Sequence, residues 1–244
     1  MSGLRMRQIC LVARSLAPVV EEIRSVLGLE VCHRDPGVGK YGLENALFPV
    51  GDAFLEVVAP VRDGTTAGRY LDRRGGDGGY MVITQCDDLA ARRRRCEAVG
   101  VRIANEIGSA EYQELQLHPR DVGAAMLSFS KQEGARAPGG PWHPAAFDGV
   151  HAVNGSSLIR AMTAAELQSG DPDRLARRWS DIIERPVVMR EGQRTIALDD
   201  ATLRFTEASD GRGEGLAGLD LDCSDPARRG LVLICGIRFR LIAP

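Results

Sequence analysis

The chain has 244 residues, with Lys+Arg 31 against Asp+Glu 33 and a formal net charge of -2. That balance gives no global attraction to nucleic acid or to an anionic lipid surface. No apolar run approaches the roughly 18 residues a membrane-spanning helix needs, and MSGLRMRQICLVARS lacks the apolar core of a signal peptide. Cys10, Cys32, Cys86, Cys96, Cys223 and Cys235 are scattered without a CxxC pair, which suits reduced thiols in a cytoplasm.

Residues 4–13, LRMRQICLVA, read as a strand. A helix follows, with Ser15 as its cap, Pro18 in its first turn, Val19, Val20, Ile23, Val26 and Leu27 as its apolar stripe, and Gly28 as its end. Short strands are expected at LEVCH, ENALFPV and AFLEVVAP, with Gly51-Asp52 as the turn between the last two. The order repeats from Gly79: strand GYMVITQC, Asp87 or Asp88 capping LAARRRRCEAVG, then VRIANEI, EYQELQL and AAMLSFS. In the second helix the run Arg92 to Arg95 reads as a solvated face. His118-Pro119 marks a turn before the closing strand.

The pattern returns near residue 158. IRAMTAAELQS precedes a helix capped by Asp171, in which Leu175, Ala176, Trp179, Ile182 and Ile183 keep the spacing of the first helix's stripe. Two helices in one register indicate a duplicated unit. GDAFLEV at 51–57 likewise aligns with DDATLRF at 199–205. The last stretch, from GLAGLDLDC to IRFRLIAP, has strands at both ends and room for about one helical turn. A Gly/Pro-rich segment containing Trp142, His143, Phe147 and His151 separates the halves and reads as a connector, part of it packed because of its aromatics.

The paired strand-helix-three-strand units resemble the vicinal oxygen chelate superfamily, the glyoxalase, bleomycin-resistance and extradiol-dioxygenase group, and specifically its glyoxalase-like branch. GLENALFPVGDAFLEVVAP is similar to an N-terminal half-site of that group, GGYMVITQCDDL to the start of its second unit, and HPRDVGAAMLSF to the closing strand of epimerase-like members. The resemblance implies an α+β protein of tandem βαβββ units pairing into two glyoxalase-like domains of curved mixed sheets, the last unit abbreviated. Residues 1–132 and 157–244 would form the two domains, joined by a connector at 133–156.

In that superfamily one metal ligand comes from each of four strands, usually His and Glu. Carried over one at a time, those places fall on Gln8, Glu56, Met81 and Ser128. One amide, one carboxylate, one thioether and one hydroxyl suit no single divalent ion. No cofactor is therefore expected, and a divalent metal is disfavoured.

Glu56 sits among Leu55, Val57 and Val58, so burial would raise its pKa towards the range of a general base; a buried acid paired with a neighbour is the plainer reading. In the enzyme reading Glu56 is the base, Gln8 and Asn45 donate to a developing oxyanion, and Met81 and Ser128 shape the wall. Asn45 serves equally well as a strand-bridging amide. His33, at a strand end, and Trp142, in the connector, are further ligand-contact candidates. Three functions follow: a metal-independent lyase or isomerase acting on a small molecule, a non-catalytic drug- or metabolite-sequestering protein, or a catalytically empty homologue whose value is dimerisation. The expected partner is a small-molecule ligand, with neither nucleic acid nor membrane, and a homodimer is compatible with the chain.

Overall fold

The computed structural model describes residues 3–135, 140–143 and 156–243. Phe147 and His151 lie outside the described residues. Fourteen strands form two mixed sheets of seven. The first contains β1 Leu4–Val12, β2 Leu43–Val50, β3 Ala53–Pro60, β4 Gly78–Cys86, β5 Ile103–Gly108, β6 Tyr112–Leu117 and β7 Met126–Gln132, in the order β2-β3-β1-β4-β7-β6-β5. The second contains β8 Ile159–Ser169, β9 Val188–Arg190, β10 Gln193–Ala197, β11 Thr202–Glu207, β12 Gly215–Cys223, β13 Gly230–Ile234 and β14 Ile237–Ile242, in the order β13-β14-β12-β8-β11-β10-β9. Among the described residues five α-helices accompany them: α1 Leu16–Leu27, α2 Thr66–Arg74, α3 Leu89–Ala98, α4 Pro119–Val122 and α5 Pro172–Ile183.

Both sheets use the same plan. β1 pairs in parallel with β3 and antiparallel with β4, as β8 pairs in parallel with β11 and antiparallel with β12. Parallel neighbours need a crossover, and α1 and α5 supply it, each through its apolar stripe. Asp88 and Asp171 cap α3 and α5 by accepting from Ala91 N at 2.8 Å and Arg174 N at 2.9 Å. Ser15 occupies the N-cap of α1 without a side-chain bond, and Gly28 ends that helix in the left-handed conformation.

Two local expectations need correction, and one helix goes beyond them. LEVCH forms no strand, only the single bridge His33↔Leu47. The arginine run is not uniformly solvated: Arg92 is 3% exposed and donates to the Ile183 carbonyl at 2.9 Å, tying α3 to α5. The segment before the second unit also contains a helix the periodicity did not announce. In α2, TAGRYLDRR, only Ala67, Leu71 and Arg74 are buried.

One apolar cluster runs through both halves, from Ile9, Leu11 and Ile23 to Leu167, Trp179 and Phe205. A separate cluster lies on the opposite, inner face of the first sheet: Cys10, Val12, Leu47, Phe54, Val58, Met81, Ile83 and Tyr112, with Ala67 and Leu71 of α2 and Trp142. The halves meet closely where β4 approaches β12. A Cβ on Gly79 would fall 2.4 Å from Leu216 Cγ, so no larger residue fits there without movement.

Candidate functional site

Glu56 lies on this inner face, 8% exposed, because in β3 its neighbours Leu55 and Val57 turn to the shared core. Both carboxylate oxygens are engaged. Asn45 Nδ2 donates to Oε1 at 2.7 Å and Gln8 Nε2 to Oε2 at 2.8 Å. Asn45 is fixed in turn, its Oδ1 accepting from Asp35 N at 2.8 Å, and Gln8 Oε1 accepts from the Trp142 indole at 2.9 Å. Burial pushes the Glu56 carboxyl above its ordinary value; hydrogen bonds from Asn45, Cys10 and Gln8 oppose that shift, and Asp35 adds to it.

The expected site residues divide as follows. Gln8, Asn45, Glu56 and Trp142 form one hydrogen-bonded chain. Met81 packs in the same inner cluster, and Ser128 is fully buried, its Oγ without a hydrogen-bond partner. His33 is half-buried and joins β2 through a single bridge, its carbonyl accepting from Leu47 N at 2.9 Å. The Gln8 and Asn45 amides donate to Glu56 itself, so here they hold the carboxylate in place.

Several residues on this face escaped the sequence reading. Glu114 is 4% exposed and accepts from the Tyr112 hydroxyl at 3.0 Å, which also lies 3.1 Å from Ser130 Oγ. Burial raises the Glu114 carboxyl too, Ser128, Tyr112 and Gln116 oppose it, and Glu56 adds to it. Ser128 acts there as a nearby dipole, since its hydroxyl is outside hydrogen-bond geometry. In YQELQL the alternation was visible, but nothing marked Glu114 as inward. Arg7 is the other omission. The register slips by one residue between Met6 and Gln8, and this bulge puts Arg7 beneath Trp142, its guanidinium 5.1 Å from the ring centroid. Tyr112 meets Trp142 edge-on at 5.8 Å and His143 at 5.0 Å, so aromatic rings cover the group.

The donor set does not fit a divalent cation. Amide N–H groups occupy both Glu56 oxygens, and Met81 and Ser128 add a thioether and a hydroxyl. Among the described residues no group of three His, Cys, Asp or Glu side chains is placed to hold a metal ion.

The second sheet's inner face is different. Glu166 and Asp220 are bridged by Arg204 and Arg240, with Arg240 Nε to Asp220 Oδ1 at 2.9 Å, and Arg238 Nη2 adds a pair to Glu166 Oε1 at 2.7 Å. Burial pushes both carboxyls up, but the arginines outweigh it and hold them below their ordinary values.

A family model described as a glyoxalase-like domain matches residues 9–183. The chain belongs to the glyoxalase-like domain family. No curated protein matches. Among solved structures, a hypothetical protein from Staphylococcus aureus superimposes with a TM-score of 0.74 at 12% identity, covering 99% of each chain. A variant of 4-hydroxymandelate synthase from Streptomyces coelicolor superimposes at 0.69 and 15% identity, over 92% of this chain and 72% of that one. A methylmalonyl-CoA epimerase variant from Streptomyces coelicolor, in complex with 2-nitronate-propionyl-CoA, covers 55% of this glyoxalase-like chain at 20% identity and a TM-score of 0.49. The first two likenesses show a shared fold. Among the described residues no helix is long and apolar enough to cross a membrane.

Proposed function

We infer that this glyoxalase-like protein binds a small organic molecule on the inner face of its first sheet and acts on it as a metal-independent lyase or isomerase. The observation that carries the reading is the Glu56 carboxylate, buried and clasped by two side-chain amides. Two N–H donors fix its orientation while burial raises its proton affinity, the combination a general base needs. Glu56 takes the proton from a carbon beside a carbonyl, and the electron pair moves onto the carbonyl oxygen. Return of that proton to a different carbon of the delocalised anion gives isomerisation; loss of a group from the neighbouring carbon gives elimination. Gln8 and Asn45 are positioning residues, and Met81 and Ser128 form the wall.

A second reading, a sequestering protein, has one observation in its favour. Tyr112, His143 and Trp142 gather at this face, a surface on which a planar ligand would stack. A thermal-shift screen of small metabolites, followed by turnover assays on the hits, finds the ligand, and Glu56→Gln then separates the two readings. Lost turnover with retained binding supports the enzyme. Weakened binding of a ligand that is never turned over supports sequestration. Metal analysis is the independent check, since a stoichiometric bound transition metal overturns the metal-independent mechanism.

A further inference from the structure

The inner face of the first sheet gathers buried polar atoms that the described chain leaves unsatisfied. Arg7 is 0% exposed; its Nη2 donates to the Gly140 carbonyl at 3.2 Å, while Nε and Nη1 have no hydrogen-bond partner. Gln85 Nε2 donates to the Ala135 carbonyl at 3.1 Å and its Oε1 accepts nothing; Ser128 Oγ is also alone. Buried polar groups in folded proteins are nearly always paired, and an unmatched buried cation is among the costliest exceptions. Four such atoms on three neighbouring strands are the mark of a site whose occupant supplies the missing partners.

The sign of the charge selects the occupant. Among the described residues no carboxylate stands within ion-pairing distance of Arg7. The acids whose fields reach it, Asp52 and Asp200, are each held by Arg5 at 3.2 Å. Glu56 and Glu114 are already engaged by side-chain donors, Asn45 and Gln8 on the first and Tyr112 on the second. Trp142 stacks on the Arg7 guanidinium and donates to Gln8 at 2.9 Å, so Arg7 and the Glu56 group lie beneath a single indole.

We propose that Arg7 anchors the carboxylate of a small organic acid on this face, with Gln85 Oε1 accepting from a hydroxyl or N–H of the same molecule. This rests on the preceding reading of the face as a small-molecule site and adds the ligand's class. Arg7 grips the acid end and the reacting carbon faces Glu56.

The test uses the full chain with pyruvate, lactate and malonate as probes, each against its neutral amide, read by calorimetry and by tryptophan fluorescence. At least one acid binds, its amide does not, and the acid perturbs Trp142 emission. Arg7→Met weakens that acid by about 30-fold or more. Its melting temperature stays at or above that of the parent, because an unmatched buried cation is gone. Should Arg7→Met fail to fold, Arg7→Gln, which keeps donors without the charge, serves the same measurement. Equal binding of acid and amide, undiminished binding by the Arg7 variants, or no binding by any of the three acids overturns the proposal. Failure of the base reading looks different: an acid binds through Arg7, yet no substrate C–H exchanges with deuterated solvent. Conversely, turnover of neutral molecules without acid preference leaves Glu56 as base and removes Arg7 as anchor.

Discussion

Arg204 holds in the second sheet the position that Glu56 holds in the first. Cys10 pairs with Glu56 across β1 and β3, Glu166 pairs with Arg204 across β8 and β11, and both strand pairs occupy equivalent places in their sheets. One framework therefore carries a carboxylate clasped by amides on one inner face and a guanidinium between two carboxylates on the other.

The two faces respond to pH with opposite signs. Glu56 and Glu114 have raised folded-state values, so their contribution to stability is full below the ordinary carboxylate pKa and is lost as pH rises through the folded value. Glu166 and Asp220 have lowered values, so theirs is present above the ordinary pKa and is lost as pH falls through the folded value. Melting temperature measured across the acid to neutral range should show it. Glu56→Gln should flatten the decline towards neutral pH, and Glu166→Gln the decline towards low pH.

The same sign reasoning reaches activity. A base that must be deprotonated, with its proton affinity raised by burial, gives an activity that increases with pH through a point above the ordinary carboxylate range. Once a substrate is in hand, kcat/KM against pH should show that acidic limb, and a limb at the value of a solvated carboxylate would contradict the assignment.

Removing Glu166 should cost more than an ordinary surface ion pair. Its side chain is 5% exposed and it holds Arg238 and Arg240, themselves 27% and 36% exposed. Glu166→Ala is expected to cost about 2–3 kcal/mol, below the ~3–5 kcal/mol of a fully buried pair because solvent screens the arginines. Urea denaturation measures it.

Gly79→Ala probes the contact between β4 and β12. The added methyl meets Leu216 at 2.4 Å from Cγ and 2.6 Å from the carbonyl oxygen, so backbone must yield as well as side chain. A loss of about 1–3 kcal/mol is expected, typical of overpacking, and an unchanged denaturation midpoint would mean the two sheets slide freely.

Trp142→Phe keeps an aromatic cover but leaves Gln8 Oε1 without its donor. An orphaned buried acceptor costs about 1–3 kcal/mol. The same variant leaves Trp179 as the sole indole and so isolates the emission of residue 142 by difference.

The repeated plan was legible because each crossover helix needs one apolar stripe and each capping Asp leaves a signature, as at Asp171. Glu56 was legible as a lone acid in an apolar strand. His33 misled as a strand end because LEVCH looks β-forming, yet the chain there makes a single bridge. α2 was hidden because its buried residues, Ala67, Leu71 and Arg74, make only a thin apolar stripe. Neither Glu114 nor Trp142 could be assigned a partner from local pattern, since their contacts depend on which strand face turns inward and on where a distant segment returns.

The slip at Arg7 has a bearing on engineering this scaffold. Strict alternation along β1 would send residues 7 and 8 to opposite faces, whereas the inserted residue lets both contact Trp142. Closing up that irregularity would return residues 7 and 8 to opposite faces and part the cation from the amide, so any transplant of this face must carry the irregularity along with the side chains.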